Sequence, residues 1–490
     1  MKSLIAGYGV LAIFLMCGCE SPHTGSLEPS EDVLVISNVK IVDVQAKKTD
    51  AAKDLIISEG RITEIRDHVG GVDGAFDAQG AYVVAGLYDA HVHIDTSARI
   101  ELMLPEIFGT KVSAAEIDDD LAPYVAFGIT SVVVLNGNQE VLDARERAQE
   151  MGAFRPRIVA ASPILDGPET ENSGHRAIAT PTEGRAAVND ALAAGYDLIK
   201  TYHIADKKTR DAIIARAAEL GMTVVGHLPP GMPFEDAIVP GFANVAHAEE
   251  ITRNWDGEDK QYLANAIDLM AKYDVSLTPN LVAYREIADE ISDIKSHLAT
   301  KDWELIPPLA RVYSAPPFNG YVEDFGGDDI RERAAAYFRR IGVAMDELTL
   351  NAHQRGVMLL AGTDAGNPTM FPGQGLYREL SLLRAAGLDG YDVLAAATLN
   401  VAKLTGEEAE RGSIEVGKIA DLVLFRVNPV GEEILTRESV WAVVKNGELF
   451  DQGRISSEID RISANFDERE IRYKTAALAK SPASNLHQAE

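Results

Sequence analysis

Apolar and polar positions change their period along the chain. From Val33 they alternate in short runs, "VLVISNVKIVDV", "KDLIISEGRITEI" and "GAFDAQGAYVVAG", broken by Gly, Asn and Asp. Such runs predict strands joined by turns. Near the other end, "GSIEVGKIADLVLFRVNP" and "VWAVVKNGELFDQG" repeat the texture, with "NG" as a hairpin marker. The two flanks, 33–84 and 411–455, are expected to form one small β-sandwich domain.

Between them, over 85–410, nearly continuous apolar runs alternate with helical stretches. The runs are "AYVVAGLYDAH", "GITSVVVL", "RPRIVAAS", "YDLIKTY", "MTVVGH", "FANVAH", "VSLTPNL" and "VMLLAGTD". Strands without alternation, separated by patterns such as "RAAVNDALAAG" and "KKTRDAIIARAAELG", read as parallel βα units buried on both faces. Eight of them predict an α/β fold of the TIM-like (β/α)8 type. A doubly wound open sheet is the alternative, weakened because no G-x-G-x-x-G follows the first run. A long, mostly helical segment at about 285–355 separates the seventh run from the eighth, and excursions of this kind are often lids or binding loops. The tail, 456–490, reads as a surface helix.

The N-terminus has a different pattern. Lys2 precedes an apolar run, Leu4 to Cys19, which reads as an export signal and is short for a spanning helix. Its end, "LMCGC", is similar to a lipobox and marks Cys19 as the lipidation site; ordinary cleavage nearby and an uncleaved anchor are the other readings. Residues 20–32 form a polar tether. The expected location is therefore the periplasm or cell envelope, with the membrane reached through a lipid anchor. Both cysteines, Cys17 and Cys19, lie in this segment, so the mature domain has no disulfide and no thiol for catalysis or zinc. A formal net charge of -29 argues against nucleic acid as a partner. A small molecule or short peptide is the expected partner, and homo-oligomerisation is compatible with the chain.

In a (β/α)8 barrel the active site lies at the C-terminal ends of the strands. The first run closes on Asp89, His91 and His93, the fourth on Lys200, the fifth on His227, the sixth on His247 and the eighth on Asp364. His91 and His93, two residues apart on a strand, share one face. Four of the chain's 11 histidines thus close three strands, as a shared metal site requires. Nitrogen and oxygen donors suit zinc first, with manganese and iron as alternatives. A lysine closing an apolar strand also fits a snorkelling charge. Asp89 reads as a support that orients an imidazole or a neighbouring loop. His175, Tyr202 and His203 in βα loops, and Tyr284 and Arg285 opening the insertion, are candidate substrate contacts.

"GLYDAHVHI", "YDLIKTY", "VVGH", "FANVAH", "AGTDAG", "AAATLNVAKLTG" and "GSIEVGKIADLVLF" together resemble the metal-dependent amidohydrolase superfamily, in its imidazolonepropionase-like and prolidase-like branch. The resemblance covers Val33 to about Asp451 and implies a barrel beside a small β-domain. It also implies that His91, His93 and Asp364 bind a first divalent cation. Lys200, as a carbamate, would bridge to a second held by His227 and His247. A hydroxide between the cations would attack, with Asp364 as the catalytic base. The implied activity is hydrolysis of an amide, peptide or cyclic amide C–N bond. Ester or phosphotriester hydrolysis, and a non-catalytic surface binding protein, are the alternatives. "GHLPPGMPF" stands where dipeptidase-like relatives carry "HAHG", which counts against prolidase activity; Lys200 counts against imidazolonepropionase, which generally uses one metal. An unmodified Lys200 would leave a mononuclear site.

Overall fold

The computed structural model describes residues 33–480 apart from 72, 98, 100–110, 173, 256 and 324–326. The expected export signal, Cys19 and the tether lie outside the described residues. Among the described residues no helix is long and apolar enough to cross a membrane.

Seven parallel strands and one irregular run close the barrel. Leu87–Val92, Ile129–Val134 and Arg157–Ala160 pair in sequence order. An Ala161–Leu198 bridge joins them to Leu198–Thr201, Thr223–Gly226, Phe242–Ala246 and Ser276–Thr278, which again pair in order. The eighth run, 358–364, meets the seventh strand through a Leu277–Leu359 bridge. It meets the first through the Ala90 N–H, 2.9 Å from the Ala361 oxygen, and a Val92–Ala365 bridge. All eight expected runs thus stand in barrel order. The eighth is not a regular strand, and its chemistry explains why. Gly362 is crowded by Thr278 and His91, Asp364 is left-handed at φ 61°, and the backbone turns to aim a carboxylate into the barrel mouth.

The helices expected from "RAAVNDALAAG" and "KKTRDAIIARAAELG" are Pro181–Ala194 and Lys207–Glu219. The first starts with a Thr180/Glu183 capping box and Pro181 at its first turn, which satisfies otherwise orphaned N–H groups. Val92, between the two histidines, belongs to the main apolar core with Ile129, Val132 and Val134. Alternate positions of one strand therefore carry either packing or chemistry.

The flanking strands form one hydrogen-bonded sheet. Val33–Asp43, Lys48–Ser58, Arg61–Asp67 and Tyr82–Ala85 come from the N-terminal side; Leu422–Phe425, Val440–Lys445 and Glu448–Phe450 come from the C-terminal side. Tyr82–Ala85 pairs with Leu422–Phe425 and so joins the two ends. Leu55, Ile57 and Ile62 share a core with Leu422, Leu424, Ala442 and Val444, from strands well separated in the ladder. The sheet is therefore folded over on itself as a small sandwich. The "NG" pair, Asn446 and Gly447, has φ of 50° and 82° and joins the last two strands, as a tight hairpin requires.

After the seventh strand come Leu281–Leu298, Pro308–Tyr313, Gly320–Glu323 and the 27-residue helix Asp328–Gln354. Ala283, Ile287 and Ile291 of the first pack on Ala335 of the last. The tail helix, Gln452–Lys480, is more than a surface helix. It buries Ile455, Ile459, Ile462, Phe466 and Tyr473. Its Arg469 pairs with Asp120 at 2.8 Å, while Asp467 and Glu470 receive Arg311 from the insertion at 2.8 and 2.9 Å. One helix thereby fastens the insertion to the barrel wall.

Candidate metal centre

The strand-end residues converge. The Nε2 atoms of His91 and His93 lie 3.3 and 3.0 Å from Asp364 Oδ1. The ring of His247 stands 4.7 Å from that of His91 and 4.8 Å from that of His227. His91, His93, Lys200, His227, His247 and Asp364 all line a cavity of about 480 Å³ at the barrel mouth.

Each side chain is aimed by local backbone. Asp364 follows Thr363, whose N–H and hydroxyl donate to Asp89 at 3.0 and 2.6 Å; the His91 N–H donates to Asp89 at 3.3 Å. Asp89 is thus the support anticipated for it, tying the first run to the eighth. Gly366, at φ 100°, lies against His93, where a Cβ would come 2.3 Å from the His93 carbonyl oxygen. His247 is itself left-handed at φ 70°, which turns the chain sharply off the sixth strand.

Burial removes protons from the imidazoles. It pushes His93 down to about 4, and His91 and His227 well below the ordinary histidine range; His247 is lowered in the same direction. Burial acts to raise the Asp364 carboxyl, but His91, the hydrogen-bonded His93 and His247 outweigh it and hold it below the carboxylate range. Neutral imidazoles around an ionised carboxylate are the protonation states a cation needs. Lys200 is 1% exposed, its Nζ has no hydrogen-bond partner, and burial pulls its ammonium down to about 8 against the Asp364, Glu250 and Glu249 carboxylates. The Nζ is therefore a buried group without a hydrogen-bond partner, and its lowered proton affinity brings the neutral amine within reach near neutral pH. The donor set fits divalent cations of the zinc type: His91, His93 and Asp364 offer atoms within 4.8 Å of one another, as do His203, His227 and Glu250.

The expected substrate contacts divide. His175 and Tyr202 line the cavity, and Asp166 accepts a 2.8 Å hydrogen bond from His175 Nδ1. His203 stands behind Tyr202, their ring centres 3.9 Å apart. Tyr284 and Arg285 do not line the cavity, which corrects the expectation. Tyr284 packs on Phe338, and Arg285 pairs with Asp346, because their faces of helix Leu281–Leu298 meet the 27-residue helix. The insertion reaches the site further along, through Tyr313, Phe318, Gly320 and Tyr321. Sequence reasoning missed these, along with Arg99, whose Nη2 bonds the Gly366 oxygen and Asn367, and Glu250, 2.6 Å from His227 Nδ1. Only the pair of acids at Glu249 and Glu250, one residue beyond His247, could have signalled Glu250.

An amidohydrolase family domain matches residues 347–450, which hold the eighth run and part of the β-domain. An adenine deaminase from Nitratidesulfovibrio vulgaris (strain DP4) is 29% identical over 341 residues, 64% of this chain and 55% of that protein. An imidazolonepropionase from Symbiobacterium thermophilum is 44% identical over 73 residues, 14% of this chain and 17% of that protein. A Xaa-Pro dipeptidase structure superimposes with a TM-score of 0.64 at 21% identity, covering 86% of this chain and 100% of the other. Bottromycin amidohydrolase gives 0.66 at 22%, covering 89% and 90%. Residues 347–450 thus match an amidohydrolase family domain, and the chain shares its fold with the Xaa-Pro dipeptidase and bottromycin amidohydrolase structures. It spans between about a third and just over half the length of the first adenine deaminases it matches, 36% and 55%.

Proposed function

We propose that this protein is a metal-dependent hydrolase that cleaves an amide, peptide or cyclic amide C–N bond. The observation that carries the reading is the convergence of His91, His93 and Asp364 on one point of the cavity, beside the unpartnered Lys200 amine. His91, His93 and Asp364 would hold one cation; His227, His247 and a carboxylated Lys200 would hold the second, zinc in both cases by donor chemistry. Bound cations supply Lewis acidity and a nucleophile at neutral pH. Asp364, a carboxylate lining the cavity, takes the nucleophile's proton and returns it to the leaving nitrogen. Asp89 holds the Thr363 to Asp364 turn while this happens. Tyr313, Phe318 and Tyr321 line the cavity and offer aromatic surface to a bound substrate. Arg99, the one guanidinium among the described lining residues, offers its charge to a substrate carboxylate, which favours a dipeptide or N-acyl amino acid. The N-terminal segment, with lipidation at Cys19, would place the enzyme in the cell envelope.

The test is a hydrolysis panel of dipeptides, N-acyl amino acids, lactams and adenine, run on zinc-loaded protein and on Asp364→Asn. Turnover of a carboxylate-bearing amide that the variant loses supports the reading. Zinc-loaded protein inert across the panel, or equal turnover by both proteins, overturns it. Globomycin-sensitive processing of the full chain in a bacterial host, absent in Cys19→Ala, checks the anchor.

A further inference from the structure

Glu250 has a position that the expected ligand set does not explain. It is 6% exposed and sits on the short helix Glu249–Thr252, which begins where the left-handed His247 turns the chain off the sixth strand. That turn brings its carboxylate beneath the end of the fifth strand. Its Oε1 lies 2.6 Å from His227 Nδ1 and 3.8 Å from His203 Nε2, and donor atoms of the three residues lie within 4.8 Å of one another. Its other oxygen is paired with Arg253, which fixes the plane of the carboxylate and leaves Oε1 turned toward the imidazoles. Tyr202 packs against both rings, 3.9 Å from His203 and 4.2 Å from His227, and so fixes their planes.

A hydrogen bond from His227 to Glu250 would by itself account for one pair. It leaves the His203 Nε2 without a hydrogen bond, 3.8 Å from the same Oε1. Leaving a buried polar atom unpaired is costly, so this open nitrogen beside a carboxylate oxygen points to a missing group. Two imidazole nitrogens and a carboxylate oxygen from three different segments form a donor set for a borderline divalent cation.

We propose that Glu250 and His203 are direct ligands of the second cation, which they share with His227. This rests on the two-cation reading above and changes its chemistry. The second cation is then held by a protein carboxylate already charged at neutral pH, in addition to whatever Lys200 contributes. Arg253 acts as a positioning residue, because it touches Glu250 and reaches the cation only through it.

The experiment loads the full chain with cobalt(II), removes excess ion by gel filtration, and measures metal per chain together with the visible absorption spectrum. It compares wild type, Glu250→Gln and His203→Gln, with circular dichroism as the check on folding. The wild type should hold two ions; Glu250→Gln should hold one, with the band of the lost ion missing. His203→Gln should bind the second ion at least 10-fold more weakly. Two ions and an unaltered spectrum in a folded Glu250→Gln overturn the ligand assignment while leaving the two-cation reading intact. One ion in the wild type overturns the two-cation reading, and this proposal with it. Should Glu250→Gln fail to fold, Glu250→Asp, which keeps the charge and shortens the arm, must shift the spectrum of the second ion. An unshifted spectrum again overturns the assignment.

Discussion

Replacing Thr363 by valine tests whether the geometry of Asp364 is set by the hydrogen bonds behind it. Valine keeps the shape and the backbone N–H bond to Asp89, and removes two interactions. The Thr363 hydroxyl donates to Asp89 at 2.6 Å and accepts from the Ala365 N–H at 3.0 Å. Asp89 is 0% and Thr363 1% exposed, so neither lost bond is replaced by water. A hydrogen bond to a charged acceptor contributes about 1.5–3 kcal/mol and a neutral one about 1 kcal/mol. The added methyl returns about 0.8 kcal/mol of burial. The net loss is about 2–3 kcal/mol. With an unfolding entropy of about 2.1 cal/mol/K per residue, a chain of this length should melt about 2–3 °C lower. The effect on rate should be larger, because a shift of about 1 Å in a reacting group costs about 100-fold. Differential scanning fluorimetry of the zinc-loaded protein, paired with kcat/KM on the best substrate of the panel, measures both. Thr363→Ser retains the hydroxyl and should stay within about 3-fold of wild type on the same argument. A valine variant with unchanged melting and full kcat/KM would refute the claim that the Asp89 to Thr363 contact positions the base.

Three further outcomes follow from named contacts. Gly366→Ala should weaken cobalt(II) binding sharply, because its Cβ would stand 2.3 Å from the His93 oxygen; Gly356→Ala, equally left-handed but with open space around it, should leave metal binding unchanged and cost only about 1 kcal/mol of strain. Equal metal affinities in the two variants would refute the close-approach argument. Burial pushes Glu290, bonded to Asn319, up to about 8, above its unfolded value, so the folded state holds a proton that the unfolded chain releases. Its contribution is present below pH of about 4.3 and is lost as pH rises toward 8, at no more than about 1.4 kcal/mol per pH unit. Glu290→Gln should flatten that slope in urea titrations between pH 5 and 8, and an identical slope in the variant would refute the assignment. Reconstitution of metal-free protein with zinc should be faster in bicarbonate than in carbon dioxide-free buffer, and Lys200→Ala should abolish the difference. Bicarbonate independence of the wild type would refute carboxylation of Lys200.

The legible part of the molecule was the part governed by period. Apolar runs ending in His93, Lys200, His227, His247 and Asp364 announced both the strands and the end of the barrel on which the chemistry sits, because a strand buried on both faces shows a polar residue only where it leaves the sheet. Tyr284 and Arg285 show where that logic stops. They open the insertion in sequence, but they lie on a helix, and its phase is set by packing on the 27-residue helix. Tyr313 and Tyr321, some 30 residues on, reach the cavity instead. No local pattern encodes that exchange, since it depends on where two helices dock and on the Arg311 contacts with the tail helix. Glu250 was hidden for another reason: a left-handed histidine redirects it, and a positive φ at a non-glycine residue has no signature in composition.

Buried acids stand around the cavity. Burial raises Asp89 to about 7, and the Asp364 carboxylate adds to that rise; burial also raises Glu249, with Glu250 and Asp364 repelling its charge. Without cations, protons therefore offset part of the negative charge that the fold packs at the barrel mouth. A divalent ion seated against Asp364 would remove the smaller, repulsive part of that rise and so favour their ionisation, while burial keeps the larger part. Metal binding and proton release are then one coupled equilibrium. The same ionised Asp89 is the stronger acceptor for the Thr363 hydroxyl and N–H, so loading the site tightens the turn that aims the base. At this end of the barrel the buried acids would thereby couple cation loading to alignment of Asp364.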